Sequence, residues 1–342
     1  MPLTLRDILL ARSRIAGRIE STPLQYDDVL SRRCNCRLFL KLESRQRTGS
    51  FKLRGALNYV SALPASELVR GVVTASSGNH GLAVACAARL CGDASATVFL
   101  PRNTPQAKRN KLQEFGAAIE LAGDSYESAH HAAVAFQEAE RIPYVPAYDD
   151  PLIVAGQGTA GLEIMETLPE VDVIVVPVGG GGLSAGIALA AKSIAPQVTV
   201  IGVQPAASPA AWLSFRDGRA HEEYASAPTI ADGLAGGYGR YTFEIARNLL
   251  DDVIIVEEAD IRRAVATLLE CSQELVEGSA AVAVAPLLSG QLRLHGKRVA
   301  AVLSGRNIDA AVVYGILAEV YGETKDPPAE PGVAPGNAEG NT

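Results

Sequence analysis

At 342 residues the chain is longer than one hydrophobic core commonly supports, so two lobes are expected. Hydrophobic residues make up 48% and charged residues 20%, the balance of a globular protein, and the aromatic share is only 5%. A net charge of −7 with no basic run argues against a nucleic-acid or anionic-membrane partner.

In chain order, Thr4 followed by Asp7 reads as a capping box that opens an amphipathic helix from about Leu5 to Ile15. The first ten residues carry Arg6 and Asp7 and lack the apolar stretch of a signal peptide. No apolar run reaches membrane-spanning length. Arg37 to Leu42 alternates and reads as a strand. A glycine-bearing loop then enters a helix from Phe51, with Ser50 as its expected cap. Beyond it strands and helices alternate: strand Gly71–Ala75, helix Asn79–Cys91, strand Ala96–Leu100, helix Pro105–Phe115, strand Ala118–Leu121, helix Ser125–Glu140. A second series begins at Val171–Val178, an almost wholly apolar run of the kind buried in parallel sheets. It passes through Gly179–Gly182 into a helix from Leu183 and the strand Val198–Val203. Val253–Val256 and Arg298–Leu303 add further strands. Repeated β-α units imply an α/β fold with a mostly parallel sheet flanked by helices in each lobe.

Five cysteines, at 34, 36, 86, 91 and 271, form no metal-site spacing and no disulfide framework, so a reducing cytoplasm is the expected setting. Cys86 and Cys91 fall in or beside an apolar helix and read as buried small side chains. The tail 325–342, with Pro327, Pro328, Pro331 and Pro335 and no apolar cluster, is expected to be disordered.

Four stretches carry chemistry. In Ser50-Phe51-Lys52-Leu53-Arg54-Gly55-Ala56, Lys52 sits in the first turn of a helix beside an aromatic ring. The helix dipole disfavours a cation there and would lower the amine's pKa, which suits a lysine captured by a carbonyl cofactor. Taken alone, a solvated surface lysine is the more ordinary reading. Gly179-Gly180-Gly181-Gly182 follows a buried strand and opens a helix, so its backbone N–H groups can converge on an anion. The pattern also fits G-x-G-x-x-A, but the ribose-binding acid that a dinucleotide site needs is missing from Gly202-Val203-Gln204-Pro205. A small phosphate ligand is therefore preferred over a dinucleotide. Ser76-Ser77-Gly78-Asn79-His80-Gly81 offers hydroxyls, an amide, an imidazole and helix N–H groups to a substrate carboxylate, or only an N-cap. Ser304-Gly305-Arg306-Asn307 follows another strand end, where ligands bind in open α/β sheets.

Together, and in this order, these stretches resemble the serine/threonine dehydratase and serine racemase family, pyridoxal-phosphate enzymes of the two-lobed tryptophan-synthase-β-like fold. Ser21-Thr22-Pro23-Leu24, Asp149-Asp150-Pro151, Ala155-Gly156-Gln157-Gly158-Thr159, Thr229–Leu234 and Glu277-Gly278-Ser279 support the resemblance, which covers about residues 3 to 320. It implies a large cofactor domain of residues 1–68 and 150–324 and a small domain of residues 69–149 inserted in it. It implies that Lys52 is the Schiff-base lysine and acid/base on the substrate α-carbon, and that Phe51 packs beside the cofactor ring. Asn79 would bond the ring hydroxyl, Gly179, Gly180, Gly181, Gly182 and Leu183 would cradle the phosphate, and Ser304 would meet the ring nitrogen. Glu277 would belong to the cofactor site. Ser76, Ser77, Gly78, Asn79 and His80 would hold the substrate carboxylate. The implied activity is conversion of an L-β-hydroxy amino acid of the threonine or serine type to a 2-oxo acid and ammonia, by a cytoplasmic homodimer.

Alternatives are a serine (amino-acid) racemase, since Ser77 stands where racemases of the family place a second base, and a dehydratase for hydroxyaspartate or a hydroxyectoine-derived amino acid. A sensor that binds the cofactor without turnover is the non-enzyme alternative. Two departures stand out. Gln204–Ala210 lacks the carboxylates that metal-activated members carry there, so no metal is expected. Arg306 stands where the family usually has glycine, and Gly278 where it has proline. Arg306 either favours an acidic substrate or faces the lobe interface.

Overall fold

The computed structural model describes residues 3–322, so the tail 325–342 lies outside the described residues. Nine strands form two sheets among the described residues: β1 Leu24–Tyr26, β2 Arg37–Lys41, β3 Val72–Ala75, β4 Ala96–Leu100, β5 Ala117–Leu121, β6 Val173–Pro177, β7 Thr199–Pro205, β8 Asp252–Val256 and β9 Arg298–Val302. The larger sheet has the order β1-β2-β9-β6-β7-β8, the smaller β3-β4-β5. Only β1 runs antiparallel, with Gln25 opposite Leu40. Every other pairing is parallel, as in Lys41 with Val302 and Val98 with Ile119.

The apolar run at β6 is explained by burial on both faces. Val173 and Val175 enter one core cluster, Ile174 and Val176 the other, as the two-residue period of a strand requires. Each such side chain contributes about 1.5–3 kcal/mol on burial.

Helices of seven or more residues are α1 Leu5–Ile15, α2 Asp28–Cys34, α3 Lys52–Ala62, α4 Asn79–Leu90, α5 Gln106–Glu114, α6 Tyr126–Glu140, α7 Pro151–Thr167, α8 Gly182–Ile194, α9 Ala210–Asp217, α10 Arg240–Ala246, α11 Glu258–Ser272 and α12 Ala310–Gly322. The Asp7 carboxylate accepts from the Thr4 N–H at 2.9 Å and the Thr4 hydroxyl at 2.7 Å, the reciprocal contact expected at the start of α1. Helix α7 starts sharply because Asp150 accepts from the N–H groups of Leu152 and Ile153 and Pro151 takes the first position. Its glycines are contact points. A Cβ at Gly156 would lie 2.6 Å from Gly55 Cα on α3, and one at Gly186 on α8 would lie 2.6 Å from Gly158 N.

Ser50 does not cap α3. The helix begins at Lys52 with Phe51 as its uncapped N-cap residue. Backbone pairing explains this: Ser50 bridges Gly305, and the Phe51 N–H donates to the Ser304 carbonyl at 3.0 Å. The buried Ser50 hydroxyl is left without a hydrogen-bond partner among the described residues.

Arg54, within the same motif, is a scaffold residue. It is fully buried and donates to Glu43 at 2.8 and 2.9 Å and to Glu163 at 2.7 Å. Lys41 binds Glu163 and the Thr22 carbonyl, and Thr22 donates to Glu43. Two cations and two carboxylates thus join β2, α3, α7 and the segment before β1, which accounts for Thr22 as well as Arg54.

Candidate active site

The expected site segments converge at the carboxyl ends of parallel strands, where open α/β sheets bind ligands. β3 ends at Ala75 before Ser76–Gly81, β6 at Pro177 before the four glycines, and β9 at Val302 before Ser304. The start of α3 is bound to this edge through Ser304 and Gly305.

Lys52 Nζ donates to the Ala147 carbonyl at 2.8 Å and lies 5.3 Å from the centroid of the Phe51 ring. Burial lowers its pKa to about 8, against the opposing pull of the Glu277 charge. The lowering expected from the sequence is present, with burial as its largest cause. Near pH 8 about half the amines are neutral, the nucleophilic form.

Asn79, the first residue of α4, donates through Nδ2 to both Glu277 oxygens, at 2.8 and 3.1 Å. Glu277 is 6% exposed. Burial pushes its carboxyl up to about 7; the Asn79 bond opposes this, Asp232 adds to it, and the Asn307 N–H and Lys111 oppose it. His80 is buried, with Nε2 3.0 Å from the Val145 carbonyl. A carbonyl only accepts, so Nε2 carries the proton. Burial, then the Lys52 charge, lowers the imidazole to about 3 and keeps it neutral. With Nε2 committed to Val145, the first N–H groups of α4 remain as donors for a carboxylate. Ser76 Oγ accepts from the Gly78 N–H at 3.2 Å. Gly78 is the N-cap residue of α4 and no side chain caps the helix, so half-buried Ser77 does not serve as its cap.

The glycine turn is enclosed. Gly181 has φ +98°, which favours glycine, and a Cβ there would lie 2.5 Å from the Tyr238 ring. A Cβ at Gly180 would lie 2.4 Å from the Tyr148 ring. The Gly180 carbonyl accepts from the Thr242 hydroxyl at 2.8 Å and the Gly239 N–H at 3.2 Å. The N–H groups at the start of α8, buried Leu183 included, have no partner within the helix and form the positive end of its dipole. Ser304 is buried.

Sequence reasoning missed Tyr148, which follows the carbonyl that holds Lys52 and lies against Gly180. Burial, with Tyr126, Asp149 and Glu222 nearby, raises its phenol to about 12, so it stays protonated. An aromatic residue directly before the acidic pair 149–150 was the available signal. Arg306 is exposed. A half-buried lysine with a lowered pKa, a turn with no space for side chains at the start of a helix, and the unpartnered Ser50 hydroxyl fit a phosphorylated carbonyl cofactor. Among the described residues no group of three or more His, Cys, Asp or Glu side chains is arranged to hold a metal. Gln204, in the stretch that lacks carboxylates, accepts from the Ala211 and Trp212 N–H groups at the start of α9 and donates to the Val178 carbonyl.

Comparison with known proteins shows the family. The family described as pyridoxal-phosphate dependent enzymes matches residues 15–305. An L-threonine ammonia-lyase of Thermotoga maritima is 44% identical over 316 residues, covering 92% of this chain and 78% of that one. The processed form of threonine deaminase isoform 2 from Solanum lycopersicum superposes with a TM-score of 0.88 at 33% identity, covering 94% of this chain and 91% of that one. Maize serine racemase superposes at 0.86 with 32% identity, covering 94% and 99%.

Proposed function

The chain belongs to the pyridoxal-phosphate dependent enzymes, and from that premise we propose that it is an L-threonine ammonia-lyase, converting L-threonine to 2-oxobutanoate and ammonia. One observation carries the reading: 44% identity over 92% of the chain to a protein of that name.

Pyridoxal phosphate, when bound, supplies a carbonyl for an amine and an electron-withdrawing ring that acidifies the hydrogen on the substrate α-carbon. In this proposal Lys52 holds the cofactor, and its Nζ takes the α-proton. Gly179–Gly182 and Leu183 hold the phosphate, Phe51 flanks the ring, Ser304 meets the ring nitrogen, and Asn79, steadied by Glu277, meets the ring hydroxyl. The α4 N-terminus, with Ser76, Ser77 and Gly78, binds the carboxylate. Neutral His80 braces that turn against Val145. The β-hydroxyl leaves as water, and water returns when ammonia is released.

The reading includes a division into residues 1–68 with 150–324 and residues 69–149, supported by β3, β4 and β5 all lying within the second. It includes a homodimer, supported by the apolar outer side of α12, where Tyr314 is 76% exposed. It includes the cytoplasm, in keeping with five unpaired cysteines. No helix among the described residues is long and apolar enough to cross a membrane.

A second reading, amino-acid racemisation, is favoured by Ser77, which caps nothing and is half-buried. A panel of β-hydroxy amino acids, assayed for 2-oxo acid and ammonia together, tests the proposal. L-Threonine should yield both in equal amounts. A cofactor-loaded protein that turns over none of the panel would overturn it in favour of a sensor.

A further inference from the structure

A line of side chains runs from the surface into the site. Exposed Lys111 on α5 donates to Asn307 Oδ1 at 2.6 Å. Asn307 Nδ2 donates to Asn79 Oδ1 at 2.5 Å and to the Thr48 carbonyl at 2.9 Å. Asn79 Nδ2 in turn meets both oxygens of Glu277, and the Asn307 backbone N–H donates to Glu277 Oε2 at 3.2 Å. An ammonium only donates and an ionised carboxylate only accepts. With Lys111 at one end and Glu277 at the other, both intervening amides have one workable orientation, carbonyl toward Lys111 and NH₂ toward Glu277. Turning either amide round would set donor against donor and acceptor against acceptor.

The surroundings are shaped to this line. A Cβ at Gly49 would lie 2.7 Å from Asn307 Oδ1, and a Cβ at Gly305 would lie 2.9 Å from Glu277 Cδ. The line also crosses between the two sheets. α5 follows β4 of the three-stranded sheet, whereas Asn307 follows β9 of the six-stranded one. Lys108, also on α5, lies 3.9 Å from Asp232 alongside it.

We propose that Lys111 is a positioning residue, which acts through Asn307 to fix the orientation of the Asn79 carboxamide at the cofactor. The inference rests on the cofactor reading above and on no choice of substrate. The charged groups that face Glu277 are Lys52 at the start of α3, Lys111 on α5 and Asp232 in the 232–234 turn. Lys111 is the surface cation among them that favours the ionised carboxylate. Its removal therefore moves the Glu277 titration to higher pH as well as freeing the amides.

The test follows the visible absorption of bound pyridoxal phosphate against pH in the full-length holoenzyme, with no substrate present. The account expects an acid-side change that is lost in Glu277→Gln. Its midpoint should rise by about half a pH unit in Lys111→Met, the scale of a partly screened charge. Lys111→Arg, which keeps the charge and a donor, should restore the wild-type midpoint. Asn307→Ala should alter the spectrum, and adding Lys111→Met to it should have a smaller effect than Lys111→Met has in the wild type, leaving only the through-space effect of the lost charge, since residues in one line are not additive. Thermal unfolding of Lys111→Met should match the wild type, because an exposed contact is worth little stability. An unmoved midpoint in Lys111→Met, a transition that survives Glu277→Gln, or a fully additive double variant would each overturn the inference while leaving the cofactor reading intact. A wild-type protein with no cofactor band would overturn both.

Discussion

Burial sets the chemistry of single residues in this site. Glu277 titrates near 7 in the fold against a usual 4.5. The native state therefore keeps a proton that the unfolded chain releases between those values. The stability associated with that proton is fully present below pH 4.5 and is lost as pH rises through 7. In the cofactor-free protein, the unfolding free energy of wild type relative to Glu277→Gln should fall by on the order of 2–3 kcal/mol across that window. A difference that stays constant with pH would show that Glu277 is not held as described. Ser77 gives a second residue-level expectation. Ser77→Ala should suppress L-to-D interconversion while leaving most L-elimination, with stability within about 0.5 kcal/mol of wild type because no cap is lost. Chiral analysis of the amino acid pool checks this, and racemisation undiminished in the variant would remove Ser77 from the chemistry. At this scale the reactive types were legible in the sequence: Lys52, Asn79 and the four glycines stand at strand-to-helix turns that a reader can find. The contacts that join them were not. Lys111 and Glu277 are 166 residues apart, and nothing local in either stretch indicates that two asparagine amides join them. Ser50 was misread because a serine before a helix signals a cap, whereas pairing with Gly305 claims its backbone.

Among the elements, α7 depends on having no side chains where α3 and α8 approach it. Gly156→Ala gains about 1 kcal/mol of helix propensity, yet the added methyl would lie 2.6 Å from Gly55 Cα, a backbone atom with no room to move. Overpacking should win, for a net loss of about 1–3 kcal/mol in urea unfolding. An unchanged or raised stability would mean that α3 and α7 are not in contact there. The alternating series from 71 to 140 was readable because each element carries its own period and its own boundary residues. Helix α7 was less so, since Gly156, Gly158 and Gly161 weaken its local signal and serve instead as contact points. α11 and α12 also went unassigned from sequence.

In the whole molecule, the candidate site lies at the strand ends of the six-stranded sheet with α4 and α5 of the three-stranded unit against it. A ligand held by both parts stabilises the assembly by mass action, by about 2.7 kcal/mol at a hundredfold excess over its dissociation constant. Removing pyridoxal phosphate should therefore lower the thermal midpoint, and adding it back should restore the midpoint. A chelator should leave both activity and midpoint unchanged, because Gln204 caps α9 where metal-activated relatives are expected to carry a ligand. A magnesium-reversible loss with EDTA would contradict that.

The central claim, that Lys52 is the lysine joined to the cofactor, is tested most directly by reducing the holoenzyme with borohydride, digesting it and locating the pyridoxyl group by mass spectrometry. The account predicts the modification on the peptide that carries Lys52 and none in Lys52→Ala. A pyridoxyl group on another lysine, or one retained in Lys52→Ala, would contradict it.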